Sequence, residues 1–336
     1  MDIQSVANKL KNTFVEHPYY DLAFRRLYNQ CVVAQPGSVI TVVGPTRVGK
    51  TRLSRQLQKE LVDPELQDNS ESIPIARIEA ATVDQGFISS RYLTLQILIS
   101  LEHPFYVGDR YATRLRASEA TLRKHLVASL IARKTKYIII DEAHHLLRTK
   151  SNRLAESVLD SMKCLGNETG CVIVFLGGYE LLTHQFLSAH LNGRMTVLEF
   201  PNYGTDREGI DGFDRLLITV DEWLPWRRGG SLYQYRDRIY EGSLGCYGQL
   251  VHWCISALGE MKALREERLK LSHFASTRRL GQIRIIKNDI DLGRELITDL
   301  SDADNATRED PVSDKAVKPH HRPFQRKPTR DPVVRR

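Results

Sequence analysis

The sequence predicts an α/β fold in which a parallel β-sheet lies between helices, followed by a small helical domain and a disordered basic tail. Three observations lead to this prediction. Short apolar runs alternate with helical patterns up to Pro201, which is typical of a parallel sheet with helices on both faces. Beyond Pro201 the helical periodicity continues alone. The last residues are rich in proline and in basic side chains.

Each element follows from its own apolar pattern. Strands are predicted at 39–43, 75–79, 137–141, 171–177 and 196–200. Helices are predicted at 14–30, 52–61, 91–101, 118–132, 154–165, 213–224, 232–240, 247–261 and 290–300. We therefore expect an N-terminal helical segment (1–36), a sheet domain (37–205), a helical lid (206–300) and a tail (301–336).

The length, the hydrophobic content and the cysteine pattern are those expected of a globular intracellular protein. The chain has 336 residues, of which 41% are hydrophobic, enough for one substantial core and a smaller one. Five cysteines without a C-x-x-C pair predict reduced core thiols: Cys31, Cys164, Cys171, Cys246 and Cys254. Neither a signal peptide nor an apolar run of about 20 residues is present, so we expect a cytoplasmic protein without membrane contact.

The net charge of +7 is concentrated in the tail. Residues 311–336 contain eight Lys/Arg, two Asp and five Pro, a net charge of +6, and the rest of the chain therefore carries only +1. Such a segment buries too little apolar surface to offset the entropy of ordering. It is either a solubilising appendage or a flexible arm for nucleic acid or a protein partner.

The segment that follows the first predicted strand fits G-x-x-x-x-G-K-[ST], a phosphate-binding P-loop. In such a loop the backbone N–H groups cradle phosphates, Lys50 reaches the β- and γ-oxygens, and the Thr51 hydroxyl binds Mg²⁺. The alternative is a simple βα turn that contains glycine. The predicted ATP-binding residues are Gly44, Pro45, Thr46, Arg47, Val48, Gly49, Lys50, Thr51 and Arg52.

The third strand ends in two acids, which is the Walker B arrangement. Asp141 is predicted to hold Mg²⁺ together with Thr51, and Glu142 to orient the water that attacks the γ-phosphate. The alternative is a helix N-cap followed by an acid in the first turn. His144 and His145 follow, but neighbouring residues of an α-helix point to different sides. We therefore expect no further metal site there.

These motifs together resemble the AAA+ ATPases, and within them the TniB/TnsC transposition regulators of Tn7-like, including CRISPR-associated, elements. The resemblance covers roughly residues 14–260. It rests on the F-x-x-H-P sequence at 14–18, the GPTRVGKT loop, the DEAHHLL strand end, the FLGGYELL segment at 175–182 and the G-x-L-G-x-x-x-x-L segment at 242–250.

The resemblance implies a protein that binds ATP and Mg²⁺ and assembles on double-stranded DNA as a ring, for example a heptamer, or as a filament. It implies TnsA/TnsB-like transposase subunits and a TniQ-like target selector as partners, and a location on the nucleoid. Arg194 stands where the family keeps the arginine that contacts the γ-phosphate of a neighbouring subunit. The alternative interpretation is that Arg194 is an ordinary charged residue on the surface.

Two departures from the superfamily pattern predict slow hydrolysis, suited to a timer. Gly177 and Gly178 stand where a polar sensor 1 residue is usual, and residues 245–249 lack the basic sensor 2 residue.

A cationic segment between the second strand and Walker B is the predicted DNA contact. Arg and Thr side chains there could pair with successive phosphates without reading the base sequence. The alternative is an exposed helix start with solvated charges. The predicted DNA-binding residues are Arg91, Arg110, Thr113, Arg114 and Arg116.

Three other functions share part of this sequence pattern. A DEAH helicase is suggested by residues 141–144, but the lid is too short for a second RecA-like domain. A DnaC- or IstB-like helicase loader would share the ATPase core. A P-loop signalling switch or scaffold would bind nucleotide without hydrolysing it.

Overall fold

The structure is a computed structural model that describes residues 3–12, 17–62, 71–80, 89–106, 117–147, 152–183 and 195–308. The chain forms two compact units. The first comprises Met1–Ile297, and the second comprises Thr298–Arg336.

A five-stranded parallel sheet is the centre of the first unit. Its strands are β1 (Val39–Val43), β2 (Ile75–Glu79), β3 (Tyr137–Asp141), β4 (Val172–Gly177) and β5 (Met195–Glu199). They lie in the order β2-β3-β4-β1-β5, and every neighbouring pair is parallel. The predicted parallel sheet is confirmed, with β4 and β5 each beginning one residue away from the predicted position.

The strand order brings the two predicted motifs together. Strand β1 ends at Val43, directly before the P-loop, and β3 ends at Asp141. Only β4 lies between them, and it ends at Gly177. Because parallel strands end at the same edge of a sheet, the P-loop, the paired acids and Gly178 meet there.

Eleven helices surround the sheet and form the lid within the described residues. They are α1 (Ile3–Asn12), α2 (Pro18–Val33), α3 (Lys50–Glu60), α4 (Ser90–Ser100), α5 (Glu119–Ala132), α6 (Asn152–Thr169), α7 (Arg207–Asp221), α8 (Arg236–Ser243), α9 (Tyr247–Ala263), α10 (Leu271–Thr277) and α11 (Leu280–Arg308). Short 3₁₀ helices occur at Ala143–Leu147, Tyr179–Leu182 and Tyr233–Tyr235.

Two apolar cores support these elements. The sheet core is formed by apolar residues of β1, β3 and β4 with those of α2 and α3, among them Val42, Leu53 and Val174. The lid core gathers Phe213, Leu250 and Phe274 from three helices. The lid therefore has a core of its own, as its helical periodicity predicts, while the domain bounds given above stay a prediction.

The N-terminal segment differs from the prediction of one helix. Helix α1 precedes α2, and its Val6 and Leu10, one turn apart, are buried in the lid core. Lys9 lies over the Trp223 ring at 5.1 Å from its centroid. The sequence alone did not reveal α1 because ten residues with two buried apolar positions give a weak periodic signal.

Helix α11 extends to Arg308, eight residues into the segment 301–336 that was predicted as a disordered tail. The first proline after this point is Pro311, so nothing in 301–308 removes a helix hydrogen bond. Residues 309–336, the rest of the predicted tail, lie outside the described residues.

The five cysteines are free thiols, but only four are buried. Cys164, in α6, is exposed, which corrects its prediction as a core thiol. No helix among the described residues combines the length and apolarity that crossing a membrane requires.

Candidate nucleotide site

The loop between β1 and α3 has the backbone that the P-loop motif requires. Gly49 has φ 125° and Arg47 has φ 67°, both in the region that favours glycine. Gly44 allows a close approach, because a Cβ there would lie 2.1 Å from the carbonyl oxygen of Phe200. Val48 is buried in the sheet core and anchors the loop.

Lys50 points into the loop that precedes it. Its Nζ donates to the carbonyl oxygens of Gly44 at 2.8 Å and Pro45 at 2.9 Å. Burial lowers the pKa of Lys50, and the nearby carboxylates of Glu142 and Asp289 oppose that shift. An anion bound in the loop would therefore lie close to the Lys50 ammonium group.

A cavity of about 360 Å³ lies over the loop. The P-loop, the Walker B end and the lid all contribute to its wall: Thr46, Arg47, Gly49, Lys50, Thr51, Arg52, Glu142, His144, Gly178, Gly248 and His252. The structure thus places most of the predicted P-loop residues and the predicted base around one cavity.

Asp141 is fully buried and held by three donors. Its Oδ2 accepts from Ser54 Oγ at 3.0 Å and from the Arg77 guanidinium at 3.2 Å, and its Oδ1 accepts from the Glu142 N–H at 3.0 Å. Arg77 is a residue that sequence reasoning missed. Its signal was its place on β2, the strand that neighbours β3.

The donor set here fits Mg²⁺, which prefers a carboxylate, a hydroxyl and retained waters. Ser54 Oγ lies 2.9 Å from the Thr51 carbonyl oxygen and also bonds Asp141, so it ties the first turn of α3 to the end of β3. Asp141 would hold the ion in competition with Arg77, which makes a hydrogen-bonded ion pair with it.

Glu142 has φ 53°, an uncommon conformation for a residue with a Cβ. This turn directs the chain away from the sheet directly after Asp141. Its Oε2 lies 3.3 Å from His144 Nδ1. Glu142 lines the cavity, as its predicted role beside a triphosphate requires.

The expectation that His144 and His145 point apart is wrong. They lie in the 3₁₀ helix Ala143–Leu147, and their ring centroids are 4.2 Å apart. One ligand atom each from Glu142, His144 and His145 lies within 4.8 Å of the other two. The three side chains are thus close enough to hold a metal ion.

The start of lid helix α9 touches the P-loop directly. The Gly248 N–H donates to the Arg47 carbonyl at 2.8 Å, and the Arg47 guanidinium donates to Gln249 Oε1 at 2.9 Å. His252, one turn further on, lines the cavity. Burial, and then Arg47 and Arg279, lower the pKa of His252. Sequence reasoning looked for a basic residue only within 245–249 and missed it.

Asp289, like His252, lies beside the cavity and was not predicted from the sequence. Its carboxylate accepts from the backbone N–H of Thr46 at 2.7 Å and from the Thr46 hydroxyl at 3.1 Å. A Cβ on Gly178 would lie 3.7 Å from Asp289 Oδ1. A polar group from α11 therefore lies beside the predicted sensor 1 position, 111 residues later in the chain.

His17 explains the H-P pair that precedes α2. Its Nδ1 accepts from the Tyr20 N–H at 3.3 Å, which caps the helix, and lies 2.8 Å from the Tyr203 hydroxyl. The ring also contacts Tyr247 on the lid helix. Burial lowers the pKa of His17 to about 4. The residue is a structural anchor between the sheet domain and the lid.

Several predicted residues lie outside the described residues. These are the predicted interface arginine Arg194 and the DNA-contact residues Arg110, Thr113, Arg114 and Arg116. Arg91 is described and lies half-buried in the first turn of α4. Their predicted roles stay predictions.

Comparison with known proteins supports these assignments at the level of family and fold. The family model for the bacterial TniB protein matches residues 8–205. No curated protein matches the chain.

Solved structures resemble the fold of most of the chain. The Aeropyrum pernix ORC2 protein is 14% identical with a TM-score of 0.55, and the match covers 80% of this chain and 70% of that one. Cdc6p from Pyrobaculum aerophilum is 18% identical with a TM-score of 0.55, covering 82% and 70%. Drosophila ORC bound to DNA is 16% identical with a TM-score of 0.53, covering 82% and 64%. At such identities the likeness shows the fold, and it confirms the predicted P-loop AAA+ fold.

Proposed function

Because the chain belongs to the TniB family, we propose that it is an ATP-dependent regulator of transposition that assembles on double-stranded target DNA. In this role it links recognition of the target site to recruitment of the transposase. The observation that carries the proposal is that Lys50, Thr51 and Glu142 line the same cavity, with the buried Asp141 bonded to the Glu142 N–H.

The chemistry of that cavity suits a magnesium–triphosphate complex. The loop amides and Lys50 would bind the phosphates, and Thr51 and Asp141 would hold Mg²⁺, which neutralises charge on the phosphates when bound. Glu142 would orient a water molecule and accept its proton. Protein groups thus position the reactants and do no covalent chemistry.

We propose that hydrolysis is slow and acts as a timer. Gly177 and Gly178 offer no side chain to a water molecule, and Glu142 lies close to His144, 3.3 Å from its ring nitrogen. His252, a lid residue that lines the cavity, has a pKa lowered by burial and by Arg47 and Arg279. It therefore lacks the permanent charge of an arginine.

DNA binding and self-assembly are the parts of the proposal that rest on sequence. The proposed DNA contacts are Arg91, Arg110, Thr113, Arg114 and Arg116, and Arg194 is the proposed contact to the nucleotide of a neighbouring subunit. The basic segment 309–336 is our candidate for contact with TnsA/TnsB-like transposase subunits, and a TniQ-like protein is the proposed target selector.

Electron microscopy of the full chain with duplex DNA and a slowly hydrolysed ATP analogue tests this function. We expect rings or filaments on DNA that form only with the analogue and that are lost in Lys50→Ala. Monomers under all conditions would contradict the assembly role. A monomeric protein would instead favour a helicase loader or a P-loop switch. A measurement of ATP hydrolysis with and without DNA then distinguishes these two, because only the loader should be stimulated by DNA.

A further inference from the structure

The P-loop is bonded to a carboxylate of its own chain. Asp289 Oδ2 accepts from both the backbone N–H and the hydroxyl of Thr46, at 2.7 and 3.1 Å. Hydrogen bonds from an N–H to an ionised carboxylate are short and about twice as strong as neutral ones. Thr46 belongs to the loop whose amides bind phosphate in the proposed function, so the carboxylate occupies an anion position.

Close packing of α11 fixes Asp289 at this point. Ile286 and Ile290, on either side of Asp289 in the helix, are buried against Cys246 at the start of the lid. One turn further on, a Cβ at Gly293 would lie 2.4 Å from ring carbons of Tyr179. Asp289 therefore reaches the P-loop from a docked helix.

We propose that Asp289 is an internal competitor for the phosphates of the nucleotide, so that nucleotide binding displaces it from the P-loop. This inference rests on the proposed function of the site as a nucleotide site. It makes the α11 contact an autoinhibitory one, formed in the nucleotide-free protein and broken by the nucleotide.

Electrostatic repulsion explains why a bound nucleotide would displace Asp289 from the P-loop. Asp289 lies near Lys50, the ammonium group that the phosphates would approach. A triphosphate carries several negative charges, and like charges at a few ångströms in a partly buried site repel. Lys50 itself donates to the Gly44 and Pro45 carbonyls in the same state, so the loop is internally satisfied until an anion replaces these partners.

The test is equilibrium binding of a fluorescent ATP analogue and of ADP to full-length wild type, Asp289→Ala and Asp289→Asn. We expect the affinity of Asp289→Ala to rise about tenfold and that of Asp289→Asn to rise less, because Asn can still accept from Thr46. Asp291→Ala is the matched control, since Asp291 is an exposed acid on the same helix, and its affinity should equal that of wild type.

The outcomes separate this inference from the proposed function. Unchanged or weaker binding by both Asp289 variants, with normal binding by wild type, overturns the inference alone. Loss of hydrolysis in Asp289→Ala with unchanged affinity also overturns it and makes Asp289 a positioning group. Failure of wild type and both variants to bind any nucleotide overturns the proposed function and, with it, the inference.

Discussion

The backbone N–H of Gly248 donates to the carbonyl oxygen of Arg47 over 2.8 Å, which joins the first turn of the lid helix to the P-loop. The approach is so close that a Cβ at Gly248 would lie 2.6 Å from that oxygen. The lid and the loop are thus in direct backbone contact at the wall of the cavity.

Gly248→Ala should weaken nucleotide binding. The added methyl group meets backbone rather than a flexible side chain, so the lid must move away from the P-loop. We expect a loss of about tenfold in affinity. Gly259→Ala on the same helix is the control, because no atom lies within 4 Å of its Cβ position. Equal nucleotide affinity for the two variants would contradict a role of this contact in binding.

Glu142→Gln should abolish most turnover and retain nucleotide binding. Loss of a general base costs roughly 10²–10⁴-fold in rate, while the amide preserves the shape of the side chain. Phosphate release measures the rate, with Glu180→Gln, an exposed acid in the 3₁₀ helix after β4, as the control. Turnover within a few fold of wild type would mean that another group activates the water.

Arg77→Met should lower the Mg²⁺ concentration at which hydrolysis is half-maximal. Arg77 competes with the cation for Asp141, and its removal leaves that buried carboxylate with one donor fewer. Unfolding should also become easier, by about 1–3 kcal/mol. Magnesium titration of the rate is the measurement. Arg123→Met removes an ion pair with Glu168 and a hydrogen bond to the Ser161 carbonyl, both away from Asp141, so it should leave the Mg²⁺ requirement unchanged. A higher Mg²⁺ requirement in Arg77→Met would refute the account.

Stability should fall as the pH falls from 6.5 to about 4. Burial holds the pKa of His17 at about 4 in the folded protein, against 6.5 in the unfolded chain. Between pH 6.5 and about 4 the unfolded chain therefore binds more protons than the folded protein, so protonation favours the unfolded state. The loss attributable to His17 is roughly 3 kcal/mol, at 1.36 kcal/mol for each pH unit.

Chemical denaturation at several pH values measures this effect. His17→Asn is the comparison, because Asn also caps helices but does not titrate in this range. The variant should lose the His17 part of the pH dependence. If the free energy of unfolding depended on pH in the same way in wild type and His17→Asn, groups other than His17 would be responsible.

Sequence patterns predicted the sheet well because its three central strands, β1, β3 and β4, are buried on both faces and form continuous apolar runs. The P-loop and the paired acids were found because their chemistry dictates both residue type and spacing. The sequence did not reveal Arg77, His252 and Asp289, because each reaches a residue of the site or its cavity from an element whose approach depends on tertiary packing. Helix α1 and the 3₁₀ geometry at His144 and His145 were missed because short elements carry little periodic signal.

Calorimetric titration with a slowly hydrolysed ATP analogue and Mg²⁺ tests the central claim, that this cavity is a nucleotide site. Lys50→Ala removes charged hydrogen bonds that are each worth roughly 1.5–3 kcal/mol, so its affinity should fall by about 100-fold or more. Lys59→Ala, an exposed lysine in the last turn of the same helix, should bind like wild type. Equal affinity of Lys50→Ala and wild type would contradict the assignment of the site.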